Sequence, residues 1–227
     1  MSRERKIFTS LLLAPLTHSG VKQTAMSPEY EALTAGLRRD NPQTPVLYLG
    51  MASCSISAGA EDTRDAVREW LRRNQPSAEL VEVGCIGLCS EEPILDVRLP
   101  GRSKLTFSKV SAPLVPELLS NLFSKTPDPA RYPVLGQSRE ASALPWDNVP
   151  FLEDHPFFRI QTRRVLRNCG IIDPTSIDEY LARGGYKAFA KTLHTMIPSE
   201  VCEEVRDSGL RGRGGALFAG AGAGAVE

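Results

Sequence analysis

The alternation of apolar and polar positions divides the chain into short strands and amphipathic helices. Pro45 to Met51 is a continuous apolar run of the length of a buried strand. After Cys54 the pattern changes to Ala60, Thr63, Ala66, Val67, Trp70 and Leu71, with Glu61, Asp62, Arg64, Arg68, Glu69 and Arg72 between them. This is a helical period with one solvated face, ended by Pro76. Leu80, Val81 and Val83 predict a second strand running into Gly84 and Cys85. Ile94–Leu99 and Lys104–Val110, separated by Pro100 and Gly101, read as a hairpin, because Pro and Gly supply turn geometry. Leu114, Val115, Leu118, Leu119, Leu122 and Phe123 predict a closing helix. The order is strand, helix, strand, hairpin, helix, an α/β arrangement.

Between Ser124 and Pro150 the pattern lapses, and Pro127, Pro129, Pro133, Pro145 and Pro150 suggest a linker or an extended arm. Beyond it, Phe157, Phe158, Ile160, Val165 and Leu166 predict a helix stopped at Gly170. A second helix is expected to start with Thr175 and Asp178 as an N-cap pair and to end at Gly184. Tyr186–Leu193 continues the helical pattern. Pro198 suits the first turn of a last helix, which carries Val201 and Val205 on one face and ends at Gly209. No internal repeat is visible.

Composition narrows the function classes. The chain has 227 residues, 41% of them hydrophobic, which is enough for one large or two small cores. Lys plus Arg equals Asp plus Glu at 27 each, so no global field favours nucleic acid or an acidic membrane. Arg3, Arg5 and Lys6 before Phe8, Leu11, Leu12, Leu13 and Leu16 outline a secretion signal, but Thr9, Ser10, Pro15 and Thr17 interrupt it. An upstream extension, with Met26 opening the folded part, is the expectation. With no transmembrane pattern and five cysteines, an odd number, the chain reads as cytoplasmic.

Two clusters carry candidate chemistry. Cys85 and Cys89 form a C-x-x-x-C pair just after a predicted strand, and Cys54 lies just after the preceding one. Strand ends on one side of a sheet can meet, and thiolates converging there would make most of an iron–sulfur or zinc site. Equally, free cysteines often serve as small buried hydrophobes. The second cluster is the turn Gly209-Leu-Arg-Gly212-Arg213-Gly214-Gly215-Ala216, whose bare backbone and guanidinium groups suit a phosphate. His18, His155 and His194 are scattered without partners at ligand spacing. Glu200, Glu203, Glu204 and Asp207 read as a solvated helix face, and Ser53, Ser55 and Ser57 lack a nucleophile elbow.

Met51-Ala-Ser-Cys54-Ser-Ile-Ser-Ala-Gly-Ala60, followed by Val83-Gly-Cys85-Ile-Gly-Leu-Cys89 and Pro93, resembles the thioredoxin-like [2Fe-2S] ferredoxin domain that is fused to or partnered with NADH-oxidising flavoproteins. The resemblance implies a metal site at Cys54, Cys85 and Cys89. It places the remaining ligand of the family's first cysteine pair at Leu49, which cannot coordinate iron, with Ser53 or Ser55 as poor substitutes.

The later motifs Phe157-Phe158, Arg164-Val-Leu-Arg-Asn-Cys169-Gly170, Ile172-Asp-Pro174, Gly184-Gly-Tyr186 and Ser208-Gly-Leu-Arg-Gly-Arg-Gly-Gly-Ala216 resemble the start of the FMN-carrying, NADH-binding subunit of respiratory complex I. They are similar also to the diaphorase subunits of NAD-linked hydrogenases and formate dehydrogenases. By that resemblance Gly212, Arg213, Gly214 and Gly215 belong to a loop against FMN. The implied chemistry is hydride transfer from NADH, the reduced form of NAD, to the flavin, then electrons to iron–sulfur centres. Where the family's glycine run continues toward the flavin pocket, this chain has Leu217-Phe218 and an Ala/Gly ladder.

The expected organisation is an N-terminal extension over 1–43, a thioredoxin-like domain over 44–124, a Pro-rich linker over 125–150, and a truncated FMN-domain opening over 151–227. The expected function is part of an NADH-dependent oxidoreductase subunit, partnered by other subunits of an electron-transfer complex. The alternative is a non-catalytic interaction or assembly module with a degenerate thioredoxin-like domain.

Overall fold

The computed structural model describes residues 28–74 and 76–212. The basic N-terminal stretch, Met26, and Arg213, Gly214 and Gly215 lie outside the described residues. In chain order the elements are α1 (Pro28–Arg38), β1 (Val46–Gly50), α2 (Ser53–Ser57), α3 (Ala60–Asn74), β2 (Glu79–Val83), β3 (Leu95–Arg98), β4 (Leu105–Phe107), α4 (Val115–Leu122), β5 (Val134–Gln137), α5 (Ile177–Ala182), α6 (Lys187–Thr195) and α7 (Pro198–Asp207). They fall into two compact units, one spanning Ala32–Tyr180 and the other formed by described residues on either side of it.

The first unit is a five-stranded mixed sheet in the order β2-β1-β3-β4-β5. The β1–β2 pair is parallel, and β1–β3, β3–β4 and β4–β5 are antiparallel. Every residue of β1 is buried, as expected of a strand covered on both faces. Because successive strand residues point to opposite faces, Leu47 and Leu49 join Leu95, Val97, Leu105 and Phe107 on one side, while Val46 and Tyr48 cluster with Val81 and Val83 on the other.

Two amphipathic helices cover the first face. Helix α3 places Ala60, Thr63, Val67 and Trp70 on a single buried stripe, and α4 contributes Val115, Leu118, Leu119 and Leu122. Each fully buried aliphatic or aromatic side chain there contributes about 1.5–3 kcal/mol. Thr63 and Trp70 carry polar atoms into this layer, and both are paired. Thr63 Oγ1 donates to the Val110 carbonyl at 2.7 Å, and Trp70 Nε1 donates to Ser120 Oγ at 3.1 Å.

The proline-rich stretch is not a free linker. It supplies β5, which pairs with β4, and it returns Trp146 and Val149 to the core. Gln137 holds this return together: its amide donates to the carbonyls of Trp146 (2.9 Å) and Val149 (2.8 Å), and its oxygen accepts from the Trp146 N–H at 2.6 Å. Trp146 Nε1 donates to the Ser103 carbonyl at 2.9 Å, and the Arg102 guanidinium stacks on its ring.

The helix expected across Phe157–Leu166 is absent; turns occupy that stretch, with Ile160 and Val165 exposed. Helix α5 starts later than expected. Ser176 Oγ, rather than a Thr175 cap, accepts from the Glu179 N–H at 3.3 Å, while Thr175 turns back to Asp173. Helix α1 falls within the expected extension and buries Tyr30 and Thr34. In the other unit, α7 begins with the Ile197 N–H donating to the Glu200 carboxylate at 2.9 Å.

The irregular stretch before α5 packs on the loop between β2 and β3. Gly170 has a φ of +76°, and a β-carbon there would lie 2.2 Å from Cγ2 of Ile86. Gly170→Ala is therefore expected to destabilise the unit by about 2–4 kcal/mol, from overpacking plus left-handed strain. Urea denaturation followed by tryptophan fluorescence checks this, since Trp70 and Trp146 both lie in the core.

Candidate metal centre

The parallel register sets Gly50 level with Val83, and the Met51 N–H donates to the Val83 carbonyl at 2.8 Å. Two connections therefore leave the same edge of the sheet side by side. The first turns into α2, which carries Cys54 and Ser55; the second carries Cys85 and Cys89. Among the described residues, Cys54, Cys85 and Cys89 form a group whose sulfurs all lie within 4.8 Å of one another. The Cys85 and Cys89 sulfurs are 3.6 Å apart, and the Gly87 N–H donates to Cys85 Sγ at 3.1 Å.

The environment distinguishes these thiols. Burial raises the Cys54 thiol, but hydrogen bonds with Cys85, Cys89 and Ser55 outweigh it, and its pKa ends below the ordinary value. Burial is the main force on Cys85, pushing it up to about 12; the Gly87 amide pulls the other way, and neighbouring Cys54 and Cys89 add to the rise. Only a thiolate binds metal or attacks an electrophile. Of these two, Cys54 is the readier to give up its proton.

Leu49, where the resemblance places the remaining ligand, belongs to the apolar cluster on one face of the sheet. It is fully buried in the layer beneath α3 and α4, opposite Leu95. The adjacent residue, Gly50, faces the other side, where a β-carbon would stand 3.0 Å from both Ser55 Oγ and Glu92 Oε2. Glu92 is buried, and its Oε2 accepts from the Ile94 N–H at 2.8 Å.

The donor set fits an iron–sulfur centre in its three soft, converging thiols. It does not supply four cysteines: the group holds three, and the position that the resemblance assigns to the fourth is a core leucine. Cys169 and Cys202 do not belong to the group. Of the glycine-rich turn's expected flavin contacts only Gly212 is described, and it is exposed; the residues expected to complete the flavin loop, Arg213, Gly214 and Gly215, lie outside the described residues.

A groove of about 770 Å³ runs along the β2 edge, lined by Met51, Ala52 and Gly84 at the cysteine end and by Arg39, Asp173 and Glu179 elsewhere. Arg39 bridges it, donating to Glu79 at 2.6 and 2.9 Å and to Glu179 at 2.9 Å. Neither Arg39 nor Glu92 stands out in the sequence, since isolated charges carry no pattern until the fold pairs them.

No family model matches the chain. The NADP-reducing hydrogenase subunit HndC of Solidesulfovibrio fructosivorans is 60% identical over 58 residues, covering 26% of this chain and 12% of that protein. An NADH-quinone oxidoreductase subunit of Escherichia coli is 44% identical over 45 residues, 20% of this chain and 10% of the relative. The NADP-reducing hydrogenase subunit HndB of S. fructosivorans is 26% identical over 81 residues, 35% of this chain and 64% of the relative. The chain thus spans about an eighth of HndC and about a tenth of the E. coli protein. A thioredoxin-like [2Fe-2S] ferredoxin from Aquifex aeolicus superposes with a TM-score of 0.36 at 12% identity, over 44% of this chain and 98% of that one.

The site is open to two direct checks. Leu49→Cys places a thiol in the apolar layer, so it should cost about 1–3 kcal/mol of stability and add no iron; chemical denaturation with iron analysis reads both. In metal-free protein near pH 8, iodoacetamide should alkylate Cys54 about tenfold faster than Cys85, because a raised pKa keeps a thiol protonated to higher pH; peptide mass spectrometry reads the ratio. In sequence, the chain is a relative of NADH-quinone oxidoreductase subunits and of the NADP-reducing hydrogenase subunits HndB and HndC.

Proposed function

We propose that the chain is part of a subunit of an NADH-dependent oxidoreductase and that it carries electrons through an iron–sulfur centre at Cys54, Cys85 and Cys89. The observation that supports this most strongly is the convergence of these sulfurs, from two loops leaving one sheet edge, to within 4.8 Å. An iron–sulfur centre supplies a one-electron store when bound.

The residues of the chain have distinct parts in this reading. The thiolates of Cys54, Cys85 and Cys89 bind the iron. The Gly87 N–H, already donating to Cys85 Sγ, steadies negative charge on that sulfur. Gly170 and Phe157 press on the cysteine loop through Ile86 and Gly87, which holds the ligands in place against loss of metal. In the same reading Gly212, Arg213, Gly214 and Gly215 contribute to an FMN loop, NADH is the hydride donor, and the neighbours are other subunits of a cytoplasmic electron-transfer complex. The similarity to subunits named for NADH and NADP chemistry supports it. No described helix is long and apolar enough to cross a membrane.

The buried Leu49 favours a second reading, in which the domain has lost its centre and serves to dock a partner. Anaerobic purification separates the two. The first expects iron and acid-labile sulfide in equal amounts and an EPR signal after dithionite reduction, with Cys85→Ser lowering retained iron about tenfold or more. Iron-free, sulfide-free protein after reconstitution would support the docking module instead.

A further inference from the structure

Resting on the iron–sulfur reading above, we infer that the Ser55 hydroxyl is the fourth protein ligand, completing with Cys54 a donor pair that matches the pair formed by Cys85 and Cys89. The candidates narrow quickly. Leu49 is a fully buried apolar residue of the core, and no carboxylate, imidazole or further thiol among the described residues joins the three sulfurs. Glu92 comes nearest in character, but its Oε2 is already engaged by the Ile94 N–H.

Ser55 has the right surroundings. The residue is completely buried, yet its hydroxyl meets the Cys54 sulfur at 4.0 Å and no other hydrogen-bond partner among the described residues. A buried hydroxyl without a strong partner costs on the order of 1–3 kcal/mol, so the site is incomplete as a purely structural one. Gly50 leaves the space open, since any side chain there would crowd Ser55 Oγ.

The Cys85–Cys89 spacing is close to that of two thiolates on one metal, and Cys54 and Ser55 would need to close by about 0.4 Å to share one. With metal–thiolate bonds of about 2.3 Å and metal–oxygen bonds of about 2.1 Å, tetrahedral neighbours stand about 3.8 Å apart for two sulfurs and about 3.6 Å for sulfur and oxygen. The observed separations are 3.6 Å for Cys85 and Cys89 and 4.0 Å for Cys54 and Ser55. Ligation exchanges the O–H bond of Ser55 for an iron–oxygen bond, and the proton passes to water during assembly.

The test uses the 227-residue chain, reconstituted anaerobically with ferrous iron and sulfide, as wild type and as Ser55→Ala, Ser55→Cys and Glu92→Gln. Ser55→Ala is expected to retain about tenfold less iron after gel filtration, the size of effect of losing a group that fixes a metal site. Ser55→Cys should keep its iron, move the charge-transfer absorption to longer wavelength and change the EPR line shape of the reduced protein. Far-UV circular dichroism identifies an alanine variant that fails to fold, in which case Ser55→Cys decides. Wild-type spectra and iron content in both Ser55 variants would overturn the assignment, as would a change of line shape confined to Glu92→Gln. Failure of the wild type itself to take up iron and sulfide would instead overturn the reading on which the assignment rests.

Discussion

The cysteine site depends on one backbone arrangement, the parallel pairing of β1 with β2. Parallel neighbours end at the same edge of a sheet, so their outgoing connections start side by side. With Gly50 level with Val83, the turn into α2 and the loop after β2 begin within one hydrogen bond of each other. Residues far apart in sequence thereby bring three sulfurs together. A one-residue slip would exchange the faces of Leu49 and Gly50. The apolar layer under α3 and α4 resists it, because Leu47 and Leu49 would both have to leave the core.

Charge pairing secures the other end of β2, where that strand begins. Arg39 stands between Glu79 of β2 and Glu179 of α5, with Glu179 almost wholly buried. Removing one partner of such a pair leaves an uncompensated buried charge, which typically costs about 3–5 kcal/mol. The arrangement also partly shields an edge strand that would otherwise offer unpaired N–H and C=O groups to another chain. Asp173, whose N–H donates to the Glu179 carboxylate at 3.1 Å, belongs to the same cover.

How much of this could be read in the sequence follows from where the burial signal lies. Strands β1 and β2, the hairpin of β3 and β4, and helices α3 and α4 declare themselves because their buried residues are apolar and regularly spaced. β5 does not, because a buried glutamine and a glycine hold it in place, and Pro133 and Pro145 nearby speak for a linker. The helix expected over Phe157–Leu166 failed for the opposite reason: Ile160 and Val165 have helical spacing but no core to face, and both are exposed. Cys54, Cys85 and Cys89 were legible as a set from their positions after two strands. Ser55 was not distinguishable from Ser53, since only the fold shows that its hydroxyl lies buried against a sulfur.

The return of Trp146 and Val149 to the core bears on how the protein can be divided. A recombinant fragment cut after the last residue of α4 would look complete on sequence grounds. It would in fact expose one long side of β4, leave Arg102 without the ring it stacks on, and remove Tyr132, Trp146 and Val149 from the core. Such a fragment would be sticky and poorly packed, and its failure to hold metal would say nothing about the cysteines. The smallest piece fit for biochemical work therefore runs past Gly170, so the modular unit of this chain is longer than its apolar pattern suggests.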